Sequence, residues 1–159
     1  GDNGCGDVCG VCADYEECNG GECYIEAGSL WDVAVYAAKI SDDQEWDPAW
    51  SPPDAYVMVW VGGKEGVTGI IDDQYEPVWN EIILQDVEAY QILTKIQFQV
   101  FEYDSWTGDE QIDPPDQGTV CEITDLDESW LNSGAYTTTG CGTALEELSF
   151  LFAPAGTGR

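Results

Sequence analysis

Carboxylate side chains concentrate in two loop-like segments of the chain, which span residues 41–54 and 102–110. Neither segment contains a lysine or an arginine, and the whole chain contains no histidine. Carboxylates that converge without a compensating charge repel one another or take up protons. Calcium binds about six to eight oxygens from carboxylates, carbonyls and water in flexible geometry. The two segments therefore predict a site for a hard cation if the fold brings them together.

The spacing within the second segment favours a site at the end of a strand. Glu102 and Asp104 are two residues apart, so both side chains project to the same side of an extended chain. Phe98 and Val100 share that parity. The two carboxylates therefore continue the line of residues that faces the core, where an accidental cluster of charge would be costly.

The surrounding sequence predicts an all-β fold. Short segments of alternating or continuous apolar residues occur at 31–36, 56–61, 67–71, 78–84, 96–100 and 148–152. Turn-forming residues separate these segments, and this pattern is typical of a sandwich. Residues 126–131 suggest one short turn of helix.

The composition excludes several functions. The formal net charge is −28 with four basic residues, which is incompatible with the phosphate contacts of a nucleic-acid-binding protein. The absence of histidine removes Ser-His and Cys-His nucleophiles. Paired carboxylates could hydrolyse glycosides only within a substrate cleft, and loop tips of a sandwich offer none. We therefore expect a protein that is not an enzyme, and no segment has the length of a transmembrane helix.

The cysteines are unevenly distributed, and five of the seven lie within the first 23 residues. These five are Cys5, Cys9, Cys12, Cys18 and Cys23. Such density in a short segment without a hydrophobic core predicts disulfides. Zinc is the alternative, because Cys9 and Cys12 have finger-like spacing, but the second ligand pair is missing. Cys121 and Cys141 are expected to close a further loop of about 20 residues.

The first 23 residues resemble a small cysteine-rich repeat of secreted bacterial proteins, especially myxobacterial ones. Residues 1–12 (GDNGCGDVCGVC) and 18–23 (CNGGEC) carry this resemblance. The first cysteine of the repeat would stand immediately before Gly1. The odd total of seven fits that position, or a cysteine that is free or bonded to another chain. The resemblance implies a secreted, extracellular or cell-surface protein of bacterial type.

The remainder of the chain resembles a C2 domain over residues 29–112. Residues 53–57 (PDAYV), 76–81 (EPVWNE) and 100–104 (VFEYD) match motifs of that family in order and spacing, and residues 110–113 (EQID) match a fourth weakly. The resemblance implies an eight-stranded antiparallel β-sandwich that binds Ca²⁺ at its loops. We expect it to occupy residues 28–153, between the disulfide-rich segment 1–27 and a tail or linker at 154–159.

The same resemblance implies which carboxylates bind calcium. The expected ligands are Asp47, Asp54, Glu102, Asp104 and Glu110. Asp42, Asp43 and Asp109 are possible substitutes, because Asp47 is one residue away from the common spacing and Asp109 competes with Glu110. Glu102 stands where the family usually has aspartate, so its longer side chain could change the position or affinity of the metal.

Three tryptophans in the same segments are expected to contact a partner: Trp46, Trp50 and Trp106. An indole combines an apolar body with a polar N–H, which suits a membrane interface, a sugar ring or a brace between the loops. No basic patch exists for phosphoinositides, and contact with an anionic bilayer would need bridging calcium.

Together these features predict a secreted calcium-binding protein that serves assembly or attachment at the cell surface, for example as a filament subunit that contacts other copies or other surface proteins. The alternative is a calcium-dependent lipid- or glycan-binding module.

Overall fold

The computed structural model describes residues 11–43, 46, 51–105, 108–114, 116 and 118–156. These residues contain eleven strands and two short helices. The strands are β1 (Glu16–Asn19), β2 (Glu22–Ile25), β3 (Leu30–Ile40), β4 (Ala55–Val61), β5 (Lys64–Val67), β6 (Val78–Glu88), β7 (Ile96–Glu102), β8 (Glu110–Asp113), β9 (Cys121–Ile123), β10 (Ala135–Thr138) and β11 (Leu145–Pro154). The helices are α1 (Ala89–Thr94) and α2 (Glu128–Ser133).

Two antiparallel sheets form the sandwich that the sequence predicts. One sheet has the order β10-β11-β3-β6, and the other has the order β5-β4-β7-β8 with β9 also paired to β7. The described part of the sandwich thus has nine strands where eight were expected. The additional strand is β9, which pairs with the first half of β7 while β8 pairs with the second half. A three-residue strand is too short to give a periodic signal in the sequence.

Alternation along the strands places the core between the sheets. Along β4 every second residue is buried, including Val57 and Val59. Phe98 of one sheet meets Phe150 of the other edge to face, with ring centroids 6.1 Å apart. Full burial of side chains of this size contributes about 1.5–3 kcal/mol each. The two sheets are therefore held mainly by a continuous apolar layer.

The short helices cover the end of the sandwich at which β3 begins. Asp127 caps the N-terminus of helix α2, and its carboxylate accepts a hydrogen bond from the Ser129 N–H at 2.8 Å. This capping contact satisfies an otherwise orphaned donor, and the helix agrees with the expectation for residues 126–131. Helix α1 was not predicted, because six residues between two strands give no detectable helical period.

The hairpin of β1 and β2 packs on the same end of the sandwich. Cys12 and Cys23 form a disulfide, and Cys18 is also disulfide-bonded. Tyr15 contacts Trp31 edge to face, with ring centroids 5.1 Å apart. The Ile25 N–H donates to the Glu128 carboxylate at 3.1 Å. The disulfide prediction is confirmed for these cysteines, whereas Cys5 and Cys9 lie outside the described residues.

Another disulfide joins the two sheets. Cys121 of β9 is bonded to Cys141, which lies in the connection between β10 and β11. Beside it, the buried carboxylate of Asp113 accepts the Cys141 N–H at 2.8 Å. Burial raises the pKa of Asp113, although backbone hydrogen bonds from Cys141 and Gly142 act in the opposite direction. The pairing predicted for Cys121 and Cys141 is thus confirmed.

Candidate functional site: the acidic loop end

Backbone pairing brings the two acidic segments to one edge of the five-stranded sheet. Ala55, the first residue of β4, pairs with Glu102, the last residue of β7. Directly beyond this pair, the Tyr103 N–H donates to the Asp54 carbonyl at 2.8 Å. Asp54, Glu102 and Asp104 are therefore neighbours along adjacent strand ends. This edge also receives the connection from Ile40, where β3 ends and the first acidic segment begins.

Glu102 is the most deeply placed carboxylate of the group. Its side chain is only 2% exposed and continues the inward row that contains Phe98 and Val100. A carboxylate in such a place is costly unless a proton, a cation or hydrogen bonds compensate its charge. The parity argument from the sequence thus agrees with the observed row.

Asp54 is held by a turn that arrives from another part of the chain. One of its carboxylate oxygens accepts the Asp73 N–H at 2.8 Å. The same turn donates the Gln74 N–H to the Pro53 carbonyl at 3.2 Å. These contacts fix the orientation of the half-buried Asp54 side chain. Its second oxygen makes no hydrogen bond to the residues that the structure describes, which leaves it available to a ligand.

Asp109 braces the second acidic segment from the outer face of the sheet. One carboxylate oxygen accepts the Tyr56 hydroxyl at 2.7 Å, and the other accepts the Asp104 N–H at 3.3 Å. Desolvation raises the pKa of Tyr56, and the hydrogen bond to the Asp109 carboxylate raises it further. Asp109 therefore holds the backbone of Asp104 in place, and its assignment as a substitute ligand remains a prediction.

The other candidate carboxylates lie at the rim. Glu110 is exposed and pairs with Glu102 across β7 and β8. Asp42 and Asp43 are exposed in the first segment. Asp47 lies outside the described residues, so its assignment stays a prediction.

Trp46 makes bracing contacts within the first acidic segment. Its ring packs against the core, and its indole N–H donates to the Ser41 carbonyl at 3.2 Å. These contacts favour the brace among the roles considered for the tryptophans. Trp50 and Trp106 lie outside the described residues, and their expected partner contacts stay predictions.

The three lysines are engaged outside the two acidic segments. Lys39 pairs with Glu146, and Lys95 pairs with Glu122. The Lys64 ammonium donates to the backbone carbonyls of residues 85 and 86. The lysines therefore contribute little compensation to the loop carboxylates, in contrast to an ordinary ion-paired surface.

The donor set fits a hard cation in its chemistry, because carboxylate oxygens are ligands that such a cation prefers. Asp54, Glu102, Asp104 and Glu110 are carboxylates at or next to the ends of adjacent strands, and Glu102 is buried there. Within the described chain, no three of these carboxylates have oxygens all within 4.8 Å of one another. Repulsion among the negatively charged carboxylates is consistent with this separation of their oxygens. The residues that would hold calcium are Asp54, Glu102, Asp104 and Glu110.

Two contacts of this site have no signal in the sequence. The Asp73 N–H reaches Asp54 because a turn 19 residues further along the chain folds back beside β4. Tyr56 and Asp109 are 53 residues apart. A single sequence shows neither pairing, because both depend on the register of strands that are distant in the chain.

Comparisons with known proteins identify the family. The sequence profile described as C2 domain matches residues 31–114, which is just over half of the chain. The chain therefore belongs to the C2 domain family. A search of curated proteins produced no match.

Solved structures share the fold at low sequence identity. C2 domain A of plant extended synaptotagmin 1 is 14% identical, with a TM-score of 0.54 over 81% of this chain and 97% of that chain. C2 domains A and B of extended synaptotagmin 2 give 16% identity and a TM-score of 0.54 over 81% of this chain and 42% of that chain. Human GIVD cytosolic phospholipase A2 gives 20% identity and a TM-score of 0.51 over 82% of this chain and 18% of that chain.

Among the described residues, no helix is both long and apolar enough to cross a membrane.

Proposed function

We propose that the acidic loop end binds Ca²⁺ through Asp54, Glu102, Asp104 and Glu110, with Asp47 as a further ligand. The observation that carries this proposal is the buried Glu102 carboxylate at the strand end beside Asp54. Bound calcium would supply positive charge that offsets the repulsion among these carboxylates. Asp73 and Asp109 would then act as supports that orient Asp54 and Asp104.

We further propose that the protein is secreted and non-enzymatic, and that calcium serves assembly or attachment at the cell surface. The disulfides support an oxidising compartment. The bracing contacts of Trp46 and the net charge of −28 support a structural role for calcium, since rigid loops would then form part of a contact with another copy or another surface protein.

The second candidate is a calcium-dependent module that binds lipid or glycan. It is supported by membership of the C2 family together with Trp50 and Trp106 in the acidic segments. In this version the tryptophans contact the partner, and calcium bridges the acidic loops to an anionic group.

The calcium site is tested by thermal unfolding in calcium and in chelator. A ligand that binds only the folded state adds about 2.7 kcal/mol at a hundredfold excess over Kd, which corresponds to a rise in Tm of roughly 5–10 °C for a chain of this size. We expect Asp54→Asn combined with Asp104→Asn to abolish the rise and to increase the Tm in chelator, because two repelling charges are removed.

The matched control removes two charges at the opposite end of the sandwich. Asp14→Asn combined with Glu17→Gln alters exposed hairpin residues and should leave the calcium-dependent rise unchanged. Equal Tm values in calcium and chelator for the unmodified protein would contradict the proposal.

The two roles are separated by light scattering and sedimentation. Calcium-dependent assembly in the absence of any added partner supports the structural role. A monomer that sediments with phosphatidylserine vesicles only in calcium supports the binding module instead.

A further inference from the structure

A concave site lies at the end of the sandwich opposite the acidic loops. It has a volume of about 460 Å³ and opens on the outer face of the five-stranded sheet beside helix α1. Cavities of about 300–1,000 Å³ are typical of small-molecule sites. Its principal lining side chains are Trp60, Tyr90, Gln91, Thr94, Lys95 and Gln97.

The indole ring of Trp60 is held in position by contacts within the protein. Trp60 of β4 pairs across the sheet with Glu65 of β5 on one side and Gln97 of β7 on the other. Its indole N–H donates to the Glu65 carboxylate at 2.7 Å. Because this contact uses the polar edge of the ring, the indole offers mainly its apolar surface to the cavity. Tyr90, which is 49% exposed, adds a second ring with a hydroxyl group.

The polar part of the site combines amides with one cation that is already paired. Gln97 donates its amide N–H to Glu122 at 2.7 Å, which leaves its carbonyl oxygen as an acceptor. Lys95 pairs with the same Glu122 carboxylate at 3.2 Å. The Gln91 amide makes no hydrogen bond to the residues that the structure describes. Donors and acceptors are therefore available beside the Lys95–Glu122 pair, while the Glu65 carboxylate is engaged by the Trp60 indole.

Gly62 gives the Gln91 amide its position. Gly62 has φ +57°, and a Cβ built on it would lie 2.4–2.6 Å from the amide atoms of Gln91. The absence of a side chain at this turn thus lets the amide pack directly on the backbone at the rim of the cavity. Any residue with a Cβ would displace the amide in addition to straining the turn.

We propose that this cavity binds an uncharged saccharide of one or two pyranose units. A pyranose has a C–H face that an aromatic ring can cover and hydroxyl groups that need both donors and acceptors. The net charge of −28 disfavours a polyanion, and Lys95, the lysine in the lining, is already paired with Glu122 and so is not available to hold an anionic group. The binding does not involve calcium, so it is independent of the acidic loop end.

The test is a titration of ¹⁵N-labelled protein with glucose, galactose, mannose, N-acetylglucosamine and their β-linked disaccharides in the presence of EDTA. We expect saturable shifts of the Trp60 indole and Gln91 side-chain signals with at least one of these sugars, at a Kd on the order of 1 mM. Tyr90→Ala and Trp60→Ala should each weaken binding by roughly tenfold or more, as expected for aromatic residues that dominate a contact. Tyr36→Ala removes a similarly exposed tyrosine from the other sheet and should leave the affinity unchanged.

The proposal is overturned if none of these sugars produces saturable shifts at Trp60 and Gln91. It is also overturned if choline or inositol hexakisphosphate binds there and the sugars do not. Because EDTA is present throughout, failure here leaves the calcium proposal unaffected, and failure of the calcium test leaves this one unaffected. If Trp60→Ala unfolds the protein, Tyr90→Ala alone decides, since Tyr90 lies on the surface.

Discussion

The two ends of this sandwich are stabilised by different interactions. At the acidic loop end, carboxylates sit on strand ends and are held by hydrogen bonds from Tyr56 and from the backbone of Asp73. At the hairpin end, Trp31 is buried beneath Tyr15, and the Cys12–Cys23 disulfide closes the hairpin above them. The first end depends on charge and the second on apolar contact and a covalent bond.

Because of this difference, the stability of the two ends should respond differently to solution conditions. Coulombic repulsion among loop carboxylates responds to calcium, salt and pH. Burial of Trp31 responds to none of these to first order. We therefore expect ligand-dependent behaviour at the loop end and a constant contribution to stability at the hairpin end. This contrast is consistent with a rigid hairpin end and a loop end whose stability changes with solution conditions.

The largest effect should come from Trp31 at the hairpin end, and Trp46 at the loop end provides the comparison. Trp31→Ala removes a side chain that is 1% exposed and should lower the free energy of unfolding by about 3–5 kcal/mol. Trp46→Ala removes a half-buried indole, so we expect a loss of less than about 2 kcal/mol. Urea unfolding followed by circular dichroism measures both. Equal losses would contradict the distinction between the two ends.

The next effect concerns two of the disulfides, Cys121–Cys141 and Cys12–Cys23. Cys121→Ala combined with Cys141→Ala should cost about 3 kcal/mol in urea unfolding, since the bond closes a 20-residue separation and joins the two sheets. Cys12→Ala combined with Cys23→Ala spans 11 residues and lies in the peripheral hairpin. We expect it to detach the hairpin locally, which proteolysis would detect, with a smaller loss of global stability. A larger global loss for the hairpin pair would mean that the hairpin is integral to the core.

The sequence predicts the loop end better than the hairpin end. Alternation along 96–100 places Glu102 on the inward row. The resemblance to the C2 family, and not periodicity, places Asp54 beside it. The hydrogen bonds that Asp73 and Tyr56 donate to Asp54 and Asp109 depend on strand register, which cannot be read from a single sequence. The packing of the hairpin on Trp31 and the cavity beside Trp60 arise from contacts between segments distant in the chain, so composition and spacing gave no indication of them.

The smallest effect tests the brace between Tyr56 and Asp109. Tyr56→Phe removes a hydrogen bond to a carboxylate at a half-buried position and should cost about 1 kcal/mol at neutral pH. Because the folded state raises the pKa of Tyr56, the stability contributed by its neutral hydroxyl is complete below the ordinary tyrosine pKa of about 10 and is lost as the pH rises above it. Urea unfolding between neutral pH and about pH 11 should therefore show the unmodified protein losing its advantage over Tyr56→Phe at the alkaline end. Tyr36→Phe, on the exposed surface of β3, serves as the control and should follow the unmodified protein throughout. Parallel curves for Tyr56→Phe and the unmodified protein would show that the hydroxyl does not brace the acidic segment, and the loop end would then depend on its backbone contacts alone.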